Sequence, residues 1–357
     1  MLPPLPRVQD PDASIRATDT DAVTARLSAV QKHYLQDPFI KHLVPRAHLQ
    51  QPRPPLINVG THVRCTAIDS LVDQWLELSA RNGTQCQIVS LGAGSDTRFW
   101  RIATGPRKDA LARYIEIDFP EVTTKKAMAI RRQKDLSSAL GDPAEVQISH
   151  GGTGLLSAKY NLLGADLRQS PTNTLQNLLG ALEGPLLSPR LPTLLLFECV
   201  LVYMTSEASS ALIQWFVDHF RNEGDGAGPI GGIVYEMFGL QDAFGKVMLS
   251  NLKFRNVSLP GAEDYPTVES LPSRFLTRGF ARAHAMTLRN IRTSCIDDVE
   301  LERISKLEML DEIEELELVL AHYAITWGLW AGADQESAWT SWGLKRKGPE
   351  LERSPED

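Results

Sequence analysis

The chain is poor in cysteine. Cys65, Cys86, Cys199 and Cys295 lie far apart, with no C-x-x-C pair and no cluster with histidine at metal-ligand spacing. A disulfide framework and a structural metal site are both excluded, and the thiols read as free side chains in a reducing compartment. Long apolar runs are also lacking: the longest, Leu194 to Met204, is interrupted by Glu198 and too short to cross a bilayer. The opening Met-Leu-Pro-Pro-Leu-Pro carries no apolar signal core, so a cytoplasmic protein without a membrane partner is expected. There is no basic excess either. The 37 basic residues are outnumbered by 44 acidic ones, a net charge of −7, which argues against a nucleic-acid partner. No G-K-[ST] phosphate loop and no G-x-S-x-G elbow occurs. His150-Gly-Gly-Thr-Gly154 is therefore a glycine-rich loop and not the oxyanion loop of a serine hydrolase.

What the sequence does contain is centred on Gln87-Ile-Val-Ser-Leu-Gly-Ala-Gly-Ser-Asp-Thr-Arg-Phe-Trp100. Ile88, Val89 and Leu91 suit a buried strand. Gly92 and Gly94 then free the backbone to turn sharply before a helix whose first N–H groups stay available to a ligand. Thr97 stands where the third glycine of a dinucleotide fingerprint would be, so NAD and ATP are disfavoured. The strand-like Arg113-Tyr-Ile-Glu-Ile-Asp118 follows, and its terminal acid comes 24 residues after Gly94. That is close to the separation, about 20 residues, at which an acid ending the second strand meets ribose hydroxyls. Asp118 is also suited to capping the helix that Pro120 begins.

Upstream, Val23, Leu27, Val30 and Tyr34 mark a helix from about Thr18 that ends before Pro38. Val63, Ala67, Leu71 and Trp75 mark a second helix after Gly60, and Arg64 falls in its first turn. A cation is unfavourable there against the helix dipole, unless an anion binds beside it or Asp69 or Asp73 pairs with it. Arg26 lies beside the first apolar stripe, where a snorkelling surface residue is the default reading of a single arginine. Lys125, Lys126, Arg131, Arg132 and Lys134 read as one solvated helix face. A short strand is expected at Val146 to His150, and further strands at Tyr160 to Arg168, Thr193 to Glu198, Ile230 to Phe238, Arg282 to Leu288 and His322 to Leu329. A single charged helix is expected from Val299 to about Leu318.

Strands alternating with helices imply an α/β fold on a parallel sheet, with the late strands at an antiparallel edge. Gly92, Gly94, Asp118, Asp166 and Glu198 then share the edge where such sheets bind ligands. A glycine loop with three acids fits a ligand rich in hydroxyls and amines. S-adenosylmethionine fits, with Arg26 and Arg64 available for its carboxylate.

These residues also carry a resemblance. Thr20-Asp21-Ala22 through Tyr34, Asn58-Val-Gly-Thr-His-Val-Arg64, Val89 to Asp96, Glu116-Ile-Asp118, Gly164-Ala-Asp-Leu-Arg168, Phe197-Glu-Cys-Val-Leu-Val-Tyr-Met204, Phe244 to Leu252 and Leu307 to Glu312 are similar to the leucine carboxyl methyltransferases, over about residues 18–328. The resemblance implies a seven-stranded Rossmann-like S-adenosylmethionine-dependent methyltransferase fold with an N-terminal helical extension and inserted helices. The domain would run over 18–330, with 18–80 as a helical lid and unstructured segments at 1–17 and 331–357. The implied activity is esterification of the C-terminal leucine of the protein phosphatase 2A catalytic subunit. Arg26, Arg64, Gly92, Asp118, Asp166, Leu167 and Glu198 would contact the cofactor, and Arg64 and Tyr203 would position the substrate. A monomer is expected. Relatives that esterify a modified tRNA base carry an extra C-terminal repeat domain, which is not expected here. The same residues would also serve a small-molecule O-methyltransferase or a non-catalytic cofactor-binding regulator.

Overall fold

A computed structural model of the chain describes residues 10, 12–180 and 184–347. Among the described residues, nine strands form one sheet in the order β3-β4-β5-β2-β1-β6-β7-β9-β8. Five of them, β1 (Cys86–Leu91), β2 (Leu111–Asp118), β5 (Tyr160–Gly164), β6 (Thr193–Glu198) and β7 (Ile230–Met237), pair in parallel. Numbered among themselves they run 3-2-1-4-5, the doubly wound arrangement whose direction reverses between β1 and β6. Beyond β7, β9 (Tyr323–Trp330) is antiparallel and carries β8 (Arg282–Thr287) at the edge. These seven strands match the expected sheet. The other edge adds a short antiparallel hairpin on β5: β3 (Gln147–Ser149) is the short strand expected over Val146 to His150, and β4 (Gly154–Leu156), which was not expected, brings the count to nine.

The apolar run of β6 hides a period of two. Leu194 and Leu196 pack into the core beneath the long helix Pro55–Arg81, whereas Leu195 and Phe197 pack into the core on the opposite face. Ile88 and Val89 of β1, Tyr114 and Ile115 of β2, and Ile233 and Val234 of β7 divide in the same way. A strand covered on both faces is apolar throughout, so its sequence conceals which side each residue takes. Glu198, in register with Tyr235 of β7, continues the face beneath helix Pro55–Arg81.

Several boundaries are corrected. The N-terminal helix spans Ala13–Gln31, so residues 13–17 are helical and not unstructured; residues 1–9 and 11 lie outside the described residues. The second helix begins at Pro55, the one residue type pre-set for a first helical position, which puts Arg64 well inside it. Arg64 therefore does not face the positive end of that helix dipole. The single helix expected over 299–318 is two, Asp298–Ser305 and Ile313–Ala321; Leu316 and Leu320 are buried and Leu318 is exposed. The tail is ordered beyond Gly332: Ala333–Trp339 is helical, and Trp339 and Trp342 are buried against Trp75 at ring separations of 4.1 and 5.0 Å. Residues 348–357 lie outside the described residues.

Candidate active site

A cleft opens at the switch point, lined among others by Ile15, Gly92, Asp118, Asp166, Leu167 and Tyr203. Its floor is the glycine turn. Gly92 and Gly94 have φ of 68° and 49°, and the turn is closely packed: a Cβ at Gly92 would lie 2.7 Å from Val200, and one at Gly94 would lie 2.5 Å from Asp19. Only glycine meets both demands. The two sequence signals for a ribose site are physically joined, because Gly94 N–H donates to Asp118 Oδ2 at 2.7 Å and Phe119 N–H to Oδ1 at 2.6 Å. A carboxylate offers about four acceptor positions, so about two stay available for a vicinal diol. Burial pushes the Asp118 carboxyl up to about 6, against the pull of those two N–H groups.

Arg168 shapes the adjoining wall. It donates to Asp166 from Nε at 2.9 Å and from Nη2 at 2.8 Å, holding that carboxyl below its ordinary range, and its two terminal nitrogens also grip Asp12 at 2.7 Å each. The N-terminal helix is thereby tied across the cleft. Asp19 adds a second tie, accepting from Ser95 N–H at 2.8 Å and Ser95 Oγ at 2.9 Å, and Asp21 pairs with Arg255.

The β6 side of the site is a network of alternating charge. Glu198 Oε1 accepts from Arg64 Nε, and Oε2 from Arg98 Nη1, both at 2.5 Å. Arg98 is 2% exposed and also donates to Asp96 at 2.8 Å and, through Nε, to Asp69 at 2.7 Å. Arg101 completes the Asp69 pairing at 2.6 Å. Burial alone would raise the Glu198 carboxyl, but the Arg64 and Arg98 guanidiniums hold it below the usual range. A cation in the first turn of helix Arg98–Ala103 opposes the helix dipole, and the three carboxylates offset that cost. Next to Glu198, Cys199 takes a left-handed φ of 58°, a conformation that costs a non-glycine residue about 1 kcal/mol.

The structure brings Gly92, Asp118, Asp166, Leu167 and Tyr203 to one cleft and places Arg64 and Glu198 together in the adjoining ion network. Arg26 does not line the cleft. It is not a surface residue either: it is 8% exposed and donates to Asp37 at 2.7 Å and toward Cys65 Sγ at 3.2 Å. Asp69 and Asp73, weighed as partners for Arg64, pair instead with Arg98 and Arg107. The solvated basic face over 125–134 loses one member, because Lys126 is buried, pairs with Glu116 at 2.5 Å and donates to the Asp96 carbonyl at 2.8 Å. Sequence reasoning missed Asp19, Asp37, Asp96 and Arg98. Only Asp96 and Arg98 had a signal, their position within the glycine turn and helix start.

The glycine cradle, the acids at consecutive strand ends and the 3-2-1-4-5 sheet define an α/β methyltransferase of Rossmann-like fold. Comparison with known proteins gives the family. The leucine carboxyl methyltransferase family model matches residues 14–217. Leucine carboxyl methyltransferase 1 of Cryptococcus neoformans is 46% identical over 92% of this chain and 97% of its own. That of Bos taurus is 36% identical over 90% and 92%. The chain belongs to the leucine carboxyl methyltransferase family. Among solved structures, a putative methyltransferase from Thermobifida fusca aligns over 81% of this chain and 91% of its own, at 12% identity and a TM-score of 0.45.

A pH dependence follows from Asp118. Its carboxyl is raised from 3.8 to about 6, so the folded chain holds a proton that the unfolded chain releases. The group's contribution to stability is greatest below about 4 and is lost as pH rises through about 6. Binding of a diol runs the other way, because protonation removes an acceptor. Affinity for an adenosyl ligand is expected to fall as pH drops below about 6, approaching tenfold per unit. Calorimetry between pH 5 and 7 checks this, and Asp118→Asn should flatten the profile; an equally steep profile in that variant would assign the dependence elsewhere.

Proposed function

We propose that the chain transfers a methyl group from S-adenosylmethionine to the C-terminal leucine α-carboxylate of the protein phosphatase 2A catalytic subunit in the cytoplasm, giving an ester that regulates holoenzyme assembly. The observation that supports it best is Asp118, fixed by Gly94 and Phe119 with acceptor positions left for a vicinal diol beside a glycine turn too tight for any side chain. When bound, the cofactor supplies a methyl on a sulfonium, and transfer forms the O–CH₃ bond while the S–CH₃ electron pair returns to sulfur.

In this reading Gly92 and Asp118 hold the ribose end, Asp166 and Leu167 the base, and Glu198 the amine, with Arg26 on the side of the methionine carboxylate. A C-terminal carboxylate, with a pKa of about 3.5, is already the nucleophile at neutral pH, so no general base is needed. The chain's contribution is positioning by Arg64 and Tyr203 and exclusion of water by the helix Ala13–Gln31 tied across the cleft. Incubation with labelled cofactor and the phosphatase catalytic subunit, intact or lacking its last residue, tests the reading. Label is expected on the intact subunit alone; label on the truncated form, or on neither, would sink it.

A further inference from the structure

The two lobes of Glu198 are both taken by arginines, yet the two arginines are held very differently. Arg98 is 2% exposed and is anchored by Asp69 and Asp96 as well as by Glu198. Among the described residues, Glu198 is the only carboxylate paired with Arg64, whose side chain is 23% exposed. Arg64 has one further contact of consequence: its guanidinium lies over the Tyr235 ring, 4.6 Å from the centroid. Tyr235 faces Glu198 across the β6–β7 register, and its other neighbour is Tyr323, stacked at 5.3 Å with an interplanar angle of 11°. Tyr235 is 7% exposed, a desolvated platform on which a cation–π contact is strongest.

We infer that Tyr235 is a positioning residue that keeps Arg64 in the site when Glu198 is claimed by another cation, so that Arg64 passes from Glu198 to the substrate carboxylate. The inference rests on the proposed function, in which Glu198 receives an ammonium group. A second cation at Glu198 displaces the arginine with fewer carboxylates to fall back on, and that is Arg64; Arg98 stays with Asp69 and Asp96. Arg64 then has no carboxylate of its own, stays over the Tyr235 ring and presents its donors to an incoming anion. A leucine carboxylate is the complementary group. Before Glu198 is occupied, the same guanidinium is neutralised and the anion has no partner. Binding is consequently ordered, and each ligand raises the affinity of the other by the same factor.

The test is calorimetric titration of a short N-acetylated peptide ending in free leucine, with and without S-adenosylhomocysteine, which carries the same ammonium and carboxylate but no transferable methyl. In the wild-type chain peptide affinity should rise about tenfold or more with S-adenosylhomocysteine present. Tyr235→Phe should keep that gain. Tyr235→Leu should lose it while its affinity for S-adenosylhomocysteine alone stays unchanged, which also reports an intact fold. Glu198→Gln, which keeps the side-chain length but releases Arg64, should bind the peptide more tightly than wild type when no nucleoside is present. Equal peptide affinity with and without S-adenosylhomocysteine in the wild-type chain would overturn the inference alone; Arg64 would then serve the nucleoside's own carboxylate. Retention of the full gain in Tyr235→Leu would also overturn it. No peptide binding under either condition would overturn the carboxylate-substrate reading and this inference together.

Discussion

Glu198→Ala is expected to abolish binding of an adenosyl ligand in calorimetry and to lower the unfolding free energy by about 3–5 kcal/mol in urea titration. The reason is the asymmetry of a buried ion network. Arg64 and Arg98 both spend a nitrogen on Glu198, and removing it leaves two guanidiniums facing a cavity with too few carboxylates. Arg98 can lean on Asp69 and Asp96, but Arg64 has no second carboxylate among the described residues. Such an uncompensated charge costs far more than the intact pair contributes. A variant that lost less than about 1 kcal/mol would show the network to be loosely hydrated.

Trp342→Ala is expected to cost about 3–5 kcal/mol although the residue does not line the cleft and lies in a stretch that composition marks as an unstructured tail. Trp342 is 5% exposed, its ring meets Trp75 edge-on, and its indole N–H donates to the Leu71 carbonyl at 2.9 Å. Trp75 is itself fully buried and sits so close to β7 that a Cβ on Gly231 would lie 2.6 Å from it. Truncation would therefore open a cavity in the main core and remove the second donor to the Leu71 carbonyl, which keeps its intrahelical bond. A midpoint shift in urea of less than a third of that expected would place the tail outside the cooperative fold.

The contrast between these two residues shows where reading along the chain succeeds. Glu198 was legible because a carboxylate ending an apolar strand has few structural uses, and because strand ends in a parallel sheet converge. Gly92 and Gly94 were legible because a left-handed turn is a local demand that few residue types satisfy. Trp342 was not, because a single aromatic in a polar stretch has no periodicity; its partner, Trp75, is 267 residues away. Lys126 failed for a related reason. On a helix face a lysine in solvent and one buried against Glu116 have the same sequence neighbours, and only the sheet beneath tells them apart.

The sequence by itself determined the seven main strands and their order along the chain, the glycine turn and the acids that end β2 and β6. Each of these follows from short-range physics: the period of two, the φ tolerance of glycine and the preference of proline for a first helical turn. The tertiary structure alone decided which charges meet. Arg98 and Glu198 are 100 residues apart, Asp12 and Arg168 are 156 apart, and Arg64 chose Glu198 over the nearer Asp69. Ion pairs have no sequence register; they form wherever the fold removes two opposite charges from water at the same point, and only the assembled sheet fixes that point.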